Sequence, residues 1–202
     1  MSITLAVVII TVLISLGAMN NGELMNKLIL WPRHMDNPSE YYRFITSGFI
    51  HADYMHLFLN MFALYSFGNI IESYYAVLLG SSNMYIIMYL SGIIASSLPS
   101  YLKHRNNSYY RSLGASGGVS AVLFAFVYFA PWTIIRIWFI PIPGIVAAVA
   151  YLAYSAYMNK KGTDNIGHDA HFWGAVYGFL FTIVFEPSHG QLFIDALLHP
   201  AF

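Results

Sequence analysis

An all-α, polytopic membrane protein, a bundle of six transmembrane helices, is the fold class this sequence predicts, and three observations predict it. The 202 residues are 58% hydrophobic and only 9% charged, against roughly 25% charged residues in soluble globular proteins. Charge-poor apolar runs recur six times along the chain, several of them close to the about 20 residues that a bilayer-crossing helix needs. Chemically capable polar residues cluster in three of those runs, as His56 and Asn60, Ser116, and His171. In lipid such a group is costly unless it faces the bundle interior or water, so the three places point to one shared cavity.

Taken in order, the first span is residues 3–19, and a polar connection from Asn20 to Asp53 follows. Its Trp31-Pro32 and Asn37-Pro38 steps and its Tyr41-Tyr42 pair predict a folded interfacial loop rather than a tether. The second span runs over 54–71, where Glu72 closes it, and the third over 84–101, ending before Lys103-His104-Arg105. The fourth takes 115–130 and stops at Pro131; the fifth takes 134–158, with Pro141 and Pro143 breaking its first half. The sixth covers 170–185 and ends at Glu186-Pro187, leaving a short tail. Residues 1–202 read as a single transmembrane domain without repeats.

Charge and composition narrow the function classes. Nine Lys plus Arg balance nine Asp plus Glu, so no net field recruits nucleic acid or an acidic substrate, and the apolar composition makes the lipid bilayer the surrounding partner. Cysteine is absent, which excludes disulfides and thiolate chemistry. The run after Ile3 lacks a basic leader and is long enough to span, so it is not read as a cleavable signal.

The polar residues fall in a pattern. His56 and Asn60, four apart, share one helical face and can both donate towards one point. Gly114 and Gly118 flank Ser116, and Gly117, Ser120 and Ala121 continue a surface with few large side chains on the fourth span. His171 precedes Gly174 and Gly178, a GxxxG pair that lets a neighbouring backbone come close. Close approach matters because a serine and a histidine on different helices must come within about 3 Å for proton transfer.

The segments His51-Ala52-Asp53-Tyr54-Met55-His56-Leu57-Phe58-Leu59-Asn60-Met61, Gly114-Ala115-Ser116-Gly117 and Ala170-His171-Phe172-Trp173-Gly174-Ala175-Val176-Tyr177-Gly178 resemble the three signatures of rhomboid intramembrane serine proteases, in the same order. The resemblance implies that Ser116 is the nucleophile and His171 its general base, with no third acid and no cofactor or metal. It implies an oxyanion hole of His56, Asn60 and the Ser116 backbone N–H. It also implies that His51 and Arg43 hold the first loop, that Glu72 supports helix ends on the opposite side, and that the substrates are transmembrane proteins cut in or near a locally unstable helix. Two positions depart from the bacterial pattern. Tyr42 stands where many members have Trp before the loop Arg. Ser120 stands where an aromatic residue often packs on the catalytic histidine, which leaves His171 with no evident packing partner in the sequence.

Blander readings compete residue by residue. A serine beside glycines in a membrane helix is ordinarily packing, and His168 with Asp169 reads as a polar helix start at the positive dipole end. Gly114-Ala115-Ser116-Gly117-Gly118 formally fits the GxSxG elbow of soluble hydrolases, but the strand and βα alternation that elbow needs are missing. Two other functions stay open: a catalytically inactive rhomboid-like protein that binds membrane clients, and a His-rich, metal-dependent membrane enzyme or transporter. Two rules oppose each other on orientation. Eight of the nine basic residues fall in loops on the Ser116 side and only Arg136 on the other, so the positive-inside rule puts that side in the cytoplasm. Likeness to bacterial rhomboids implies the reverse: an integral protein of the bacterial inner (cell) membrane, with its active site facing the extracytoplasmic side. The expectation follows the likeness, because the long first loop is nearly balanced by Glu23, Asp36, Glu40 and Asp53.

Overall fold

The computed structural model describes residues 1–137, 139–161 and 167–200. Helix α1 (Ile3–Met19) starts at an N-cap serine, Ser2, whose side chain accepts from the Leu5 N–H. The connection to the next long helix is folded. It holds α2 (Gly22–Leu28), two 3₁₀ turns (Pro32–His34 and Pro38–Glu40), α3 (Arg43–Thr46) and a third 3₁₀ turn, Ser47–Phe49. Then come α4 (Tyr54–Leu78), α5 (Asn83–His104), α6 (Ser116–Phe129), a hairpin of β1 (Ile134–Ile137) and β2 (Ile140–Pro143), α7 (Gly144–Lys161), α8 (His168–Phe185) and α9 (Gly190–Leu198).

Helix α6 is the centre. All of it except Ser116 and Leu123 is buried, and it packs against α8, α5 and α4, and more lightly against α7. Its closest neighbour is α8. A Cβ built on Gly174 would lie 2.2 Å from the Gly117 carbonyl oxygen, and one on Gly178 2.2 Å from that of Ala121. The GxxxG pair is therefore a backbone-on-backbone seam, in which van der Waals contact replaces the hydrophobic drive that lipid does not supply. A buried pair of hydroxyls ties two of the helices around this centre to each other: Tyr75 of α4 and Thr182 of α8 share a hydrogen bond of 2.7 Å.

Two elements differ from expectation. Helix α4 does not end at Ile71 but continues to Leu78. The Glu72 carboxylate can stay inside it because it accepts from the Ile3 and Thr4 backbone N–H groups (2.8 Å each) and from the Thr4 hydroxyl (2.7 Å), capping α1 where its first amides have no partner. The fifth predicted span begins as an antiparallel hairpin, with Ile134 opposite Pro143 and Arg136 opposite Pro141. Pro141 and Pro143 have fixed φ and no N–H to donate, so this stretch stays extended and the helix starts only at Gly144. Trp138 of that span lies outside the described residues. The tail after Pro187 is also ordered: the Trp132 indole donates to the Ala196 carbonyl (2.6 Å), and Phe193 packs on Tyr128.

By length and composition alone, α5 is the one described helix both long and apolar enough to cross a bilayer, and α1 and α6 are shorter apolar helices. The reason is physical. Helices α4 and α8 carry His56, Asn60, Asn69 and Glu72, and His168, Asp169 and His171, which lowers their apolar content.

Candidate active site

Ser116 is the first residue of α6, and the turn before it is built by Gly114 and His51. Gly114 has φ +117°, a conformation that a side chain disfavours. A Cβ there would also meet the His56 ring at 2.8 Å and come within 3.9 Å of Ser116 Oγ. The His56 imidazole and the Ser116 hydroxyl thus flank one point, and glycine leaves that point open. The Gly114 N–H donates to the Ser47 carbonyl (2.9 Å).

His51 is fully buried beneath this turn. Its Nε2 accepts from the Ala115 N–H (3.3 Å), so its proton sits on Nδ1 and donates to Ser15 Oγ (2.9 Å). The Ser15 hydroxyl in turn donates to the Phe49 carbonyl (2.9 Å). That relay needs a neutral ring. Burial supplies one, pushing the His51 pKa from 6.5 down to about 3, with the neighbouring His56 adding to the effect. The ring edges also meet, His51 against His56 at 4.9 Å and 76°.

On α4, Asp53 caps the helix by accepting from the His56 N–H (2.8 Å). Asn60 is buried and its amide donates to the His56 carbonyl (2.9 Å). An amide nitrogen carries two protons, so this bond uses one donor and spares the other.

On α8, His171 sits in the first turn. Gly117, next to Ser116, faces the Ala170 carbonyl at 3.7 Å from its Cβ position, and Gly174 rests on the Gly117 backbone. The seam therefore holds Ser116 and His171 at one level. The Tyr151 ring of α7 stacks on His171 at 5.8 Å and 20°, and its hydroxyl shares a 2.7 Å hydrogen bond with Ser120. Ser120 is thus no gap beside His171: an aromatic ring arrives from a different helix. One turn further along α7, Tyr154 meets His168 edge-on at 5.5 Å, and His168 meets His171 at 5.8 Å. Asp169 accepts from the Ser100 hydroxyl and from the Ala170 N–H, as a helix-start carboxylate does.

The first loop closes over this end of the bundle. The Arg43 guanidinium donates to Glu40 (2.6 Å) and to the carbonyls of Asn26 (2.7 Å) and Ile29 (2.9 Å), and its hydrogen bond holds the Glu40 carboxyl below its ordinary pKa. Leu30 and Ser112 form a backbone bridge between this loop and the segment leading to Ser116. Glu72 of α4 lies at the other end, against the start of α1. Tyr151 is the residue that sequence reasoning missed. The signal was only indirect, a hydroxyl at Ser120 where a ring was expected.

A cavity of about 640 Å³ opens beside the site, between α4 and α7, walled by Phe62, Phe67, Leu123, Val127, Ala147 and Tyr151.

A glycine-sealed helical bundle with a serine, two histidines and an asparagine at one end defines a rhomboid-type membrane protein. A family model of the rhomboid domain matches residues 38–188, and the chain belongs to the rhomboid family of integral membrane proteins. It is 36% identical over 142 residues to Rhomboid protein 1, mitochondrial, of Saccharomyces cerevisiae, covering 68% of this chain and 40% of that protein. It is 28% identical over 169 residues to RHOMBOID-like protein 12, mitochondrial, of Arabidopsis thaliana, covering 77% and 49%. To Presenilin-associated rhomboid-like protein, mitochondrial, of Homo sapiens it is 32% identical over 142 residues, covering 68% and 36%. The chain thus spans less than half the length of each of these relatives.

Proposed function

We propose that this chain is an intramembrane serine protease that cuts peptide bonds in or near transmembrane segments of other membrane proteins. The observation that carries this reading is the seam at Gly117 and Gly174, which sets Ser116 and His171 level, with the His56 ring against the same Gly114 face. Ser116 attacks the scissile carbonyl while His171 takes its proton, and the proton later goes to the leaving amine. The oxyanion meets the Ser116 N–H, His56 and the spare Asn60 N–H; removing one such donor costs about 100- to 1000-fold in rate. Water then hydrolyses the acyl-enzyme, and it reaches the site because both residues sit in the first turn of their helices. The cavity between α4 and α7 admits the substrate segment. That segment must unwind locally, since a helical peptide bond is shielded by its own hydrogen bonds.

The test is cleavage of a single-span reporter by purified protein. Ser116→Ala and His171→Ala should each abolish cleavage while the protein stays folded in detergent, and a chelator should have no effect. Activity near wild type in either variant would sink the assignment.

The relatives named above are mitochondrial, so placement in a bacterial cell membrane draws nothing from them. What we carry forward is the sidedness: Ser116 opens away from the end that holds both Ile3 and α9. Glu72 at the start of α1, and Tyr128 on the Glu186 carbonyl (2.8 Å), both mark that opposite end. With the chain in a bacterial cell membrane, cysteine at Asn107 should react with an impermeant maleimide in intact cells and cysteine at Ser81 should not. The reverse pattern would show that the charge asymmetry rules.

A further inference from the structure

The Tyr151 contact does more than fill space. Resting on the catalytic reading of Ser116 and His171, we propose that Tyr151 is a positioning residue for His171, so that the alignment of the general base depends on where α7 sits. An imidazole that takes and returns a proton must keep one nitrogen aimed at Ser116, and a ring stacked at 5.8 Å and 20° restricts its rotation. The Tyr151 ring is itself fixed, because its hydroxyl bonds Ser120, one turn along α6 from the nucleophile. One side chain thus links the nucleophile helix, the base helix and α7.

Tyr151 is also a wall of the cavity between α4 and α7. Of α7 only Gly144, Ala148 and Ser155 are buried, and it touches α6 lightly, its main packing being on α8. An outward displacement of α7 would therefore carry the ring off both His171 and Ser120, and a segment lying in the cavity would press on that same ring. Were the aromatic residue on α6, at position 120, it would stay with the nucleophile whatever α7 did.

The test is steady-state cleavage of a single-span reporter by full-length variants. Tyr151→Leu should lower kcat about 10- to 100-fold, the scale of a small misplacement of a catalytic group, with KM within about twofold. Tyr151→Phe keeps the ring and should lose only about threefold; Ser120→Ala should match it, and the double variant should be no worse, because both remove one hydrogen bond. Tyr154→Leu, which removes the neighbouring ring over His168 on the same helix, should leave kcat within about twofold. The proposal is overturned if Tyr151→Leu keeps wild-type kcat or loses only in KM, if Phe and Leu are equally poor, if the Ser120 and Tyr151→Phe losses multiply, or if Tyr154→Leu does the same damage. Ser116→Ala run alongside separates the two claims. If it cleaves, the catalytic reading fails. If it is dead while Tyr151→Leu turns over normally, only the positioning role fails.

Discussion

Helix α6 meets α8 and α7 in opposite ways. Towards α8 it presents Gly117 and Ala121, and the Gly174 and Gly178 backbones rest on them with no room for a methyl group. Towards α7 it presents Leu123 and Val127 across a cavity, with the Ser120–Tyr151 hydrogen bond as a polar tie. The first seam is a rigid mount and the second is a loose one. On the proposed reading this would be a division of labour: the rigid seam would fix a serine and a histidine to a fraction of an ångström, and the loose side would let a polypeptide substrate in.

The largest effect should come from breaking the rigid seam. Gly174→Ala or Gly178→Ala drives a methyl into backbone that cannot step aside, an overpacking cost of about 3 kcal/mol or more. Thermal melting in detergent should drop sharply and cleavage should vanish; unchanged melting would mean that the helices are not held as described. Filling the loose side should act differently. Ala147→Trp, in the cavity wall, should slow cleavage of a transmembrane reporter about tenfold or more while leaving the fold and the reactivity of Ser116 towards a small phosphonate intact. Equal loss in both assays would show that the cavity is not the route to the site.

A smaller effect concerns the relay beneath the turn that leads to Ser116. The folded His51 titrates near 3 and the unfolded one near 6.5, so between those values the unfolded chain holds a proton that the folded chain lacks, and stability rises with pH. The contribution of His51 is complete above about pH 6.5 and is lost as pH falls towards 3. The melting temperature should therefore fall between pH 7 and pH 4, and the slope should be shallower in His51→Asn. An identical slope in that variant would remove His51 as the cause.

The helical class was legible because long, charge-poor apolar runs recurring along one chain have few alternatives, and the small residues around Ser116 and His171 announced a close seam. What misled was reading charge and proline too simply. Glu72 looked like a helix end, yet it sits in mid-helix because α1 offers it amides to bind. Pro141 and Pro143 looked like a break within a helix, yet they set a hairpin ahead of one. Tyr151 was illegible for a different reason: its partners Ser120 and His171 lie on two other helices, and no periodicity in α7 distinguishes it from Tyr154 or Tyr157.

The most direct test of the central claim, that His171 activates Ser116, is reaction of the purified protein with a fluorophosphonate followed by peptide mass analysis. Ser116 Oγ should displace fluoride and form the phosphorus ester while its proton passes to His171. A single adduct on Ser116 is expected, lost in His171→Ala and retained in Ala147→Trp. An adduct elsewhere, none at all, or undiminished labelling of Ser116 in His171→Ala would contradict it.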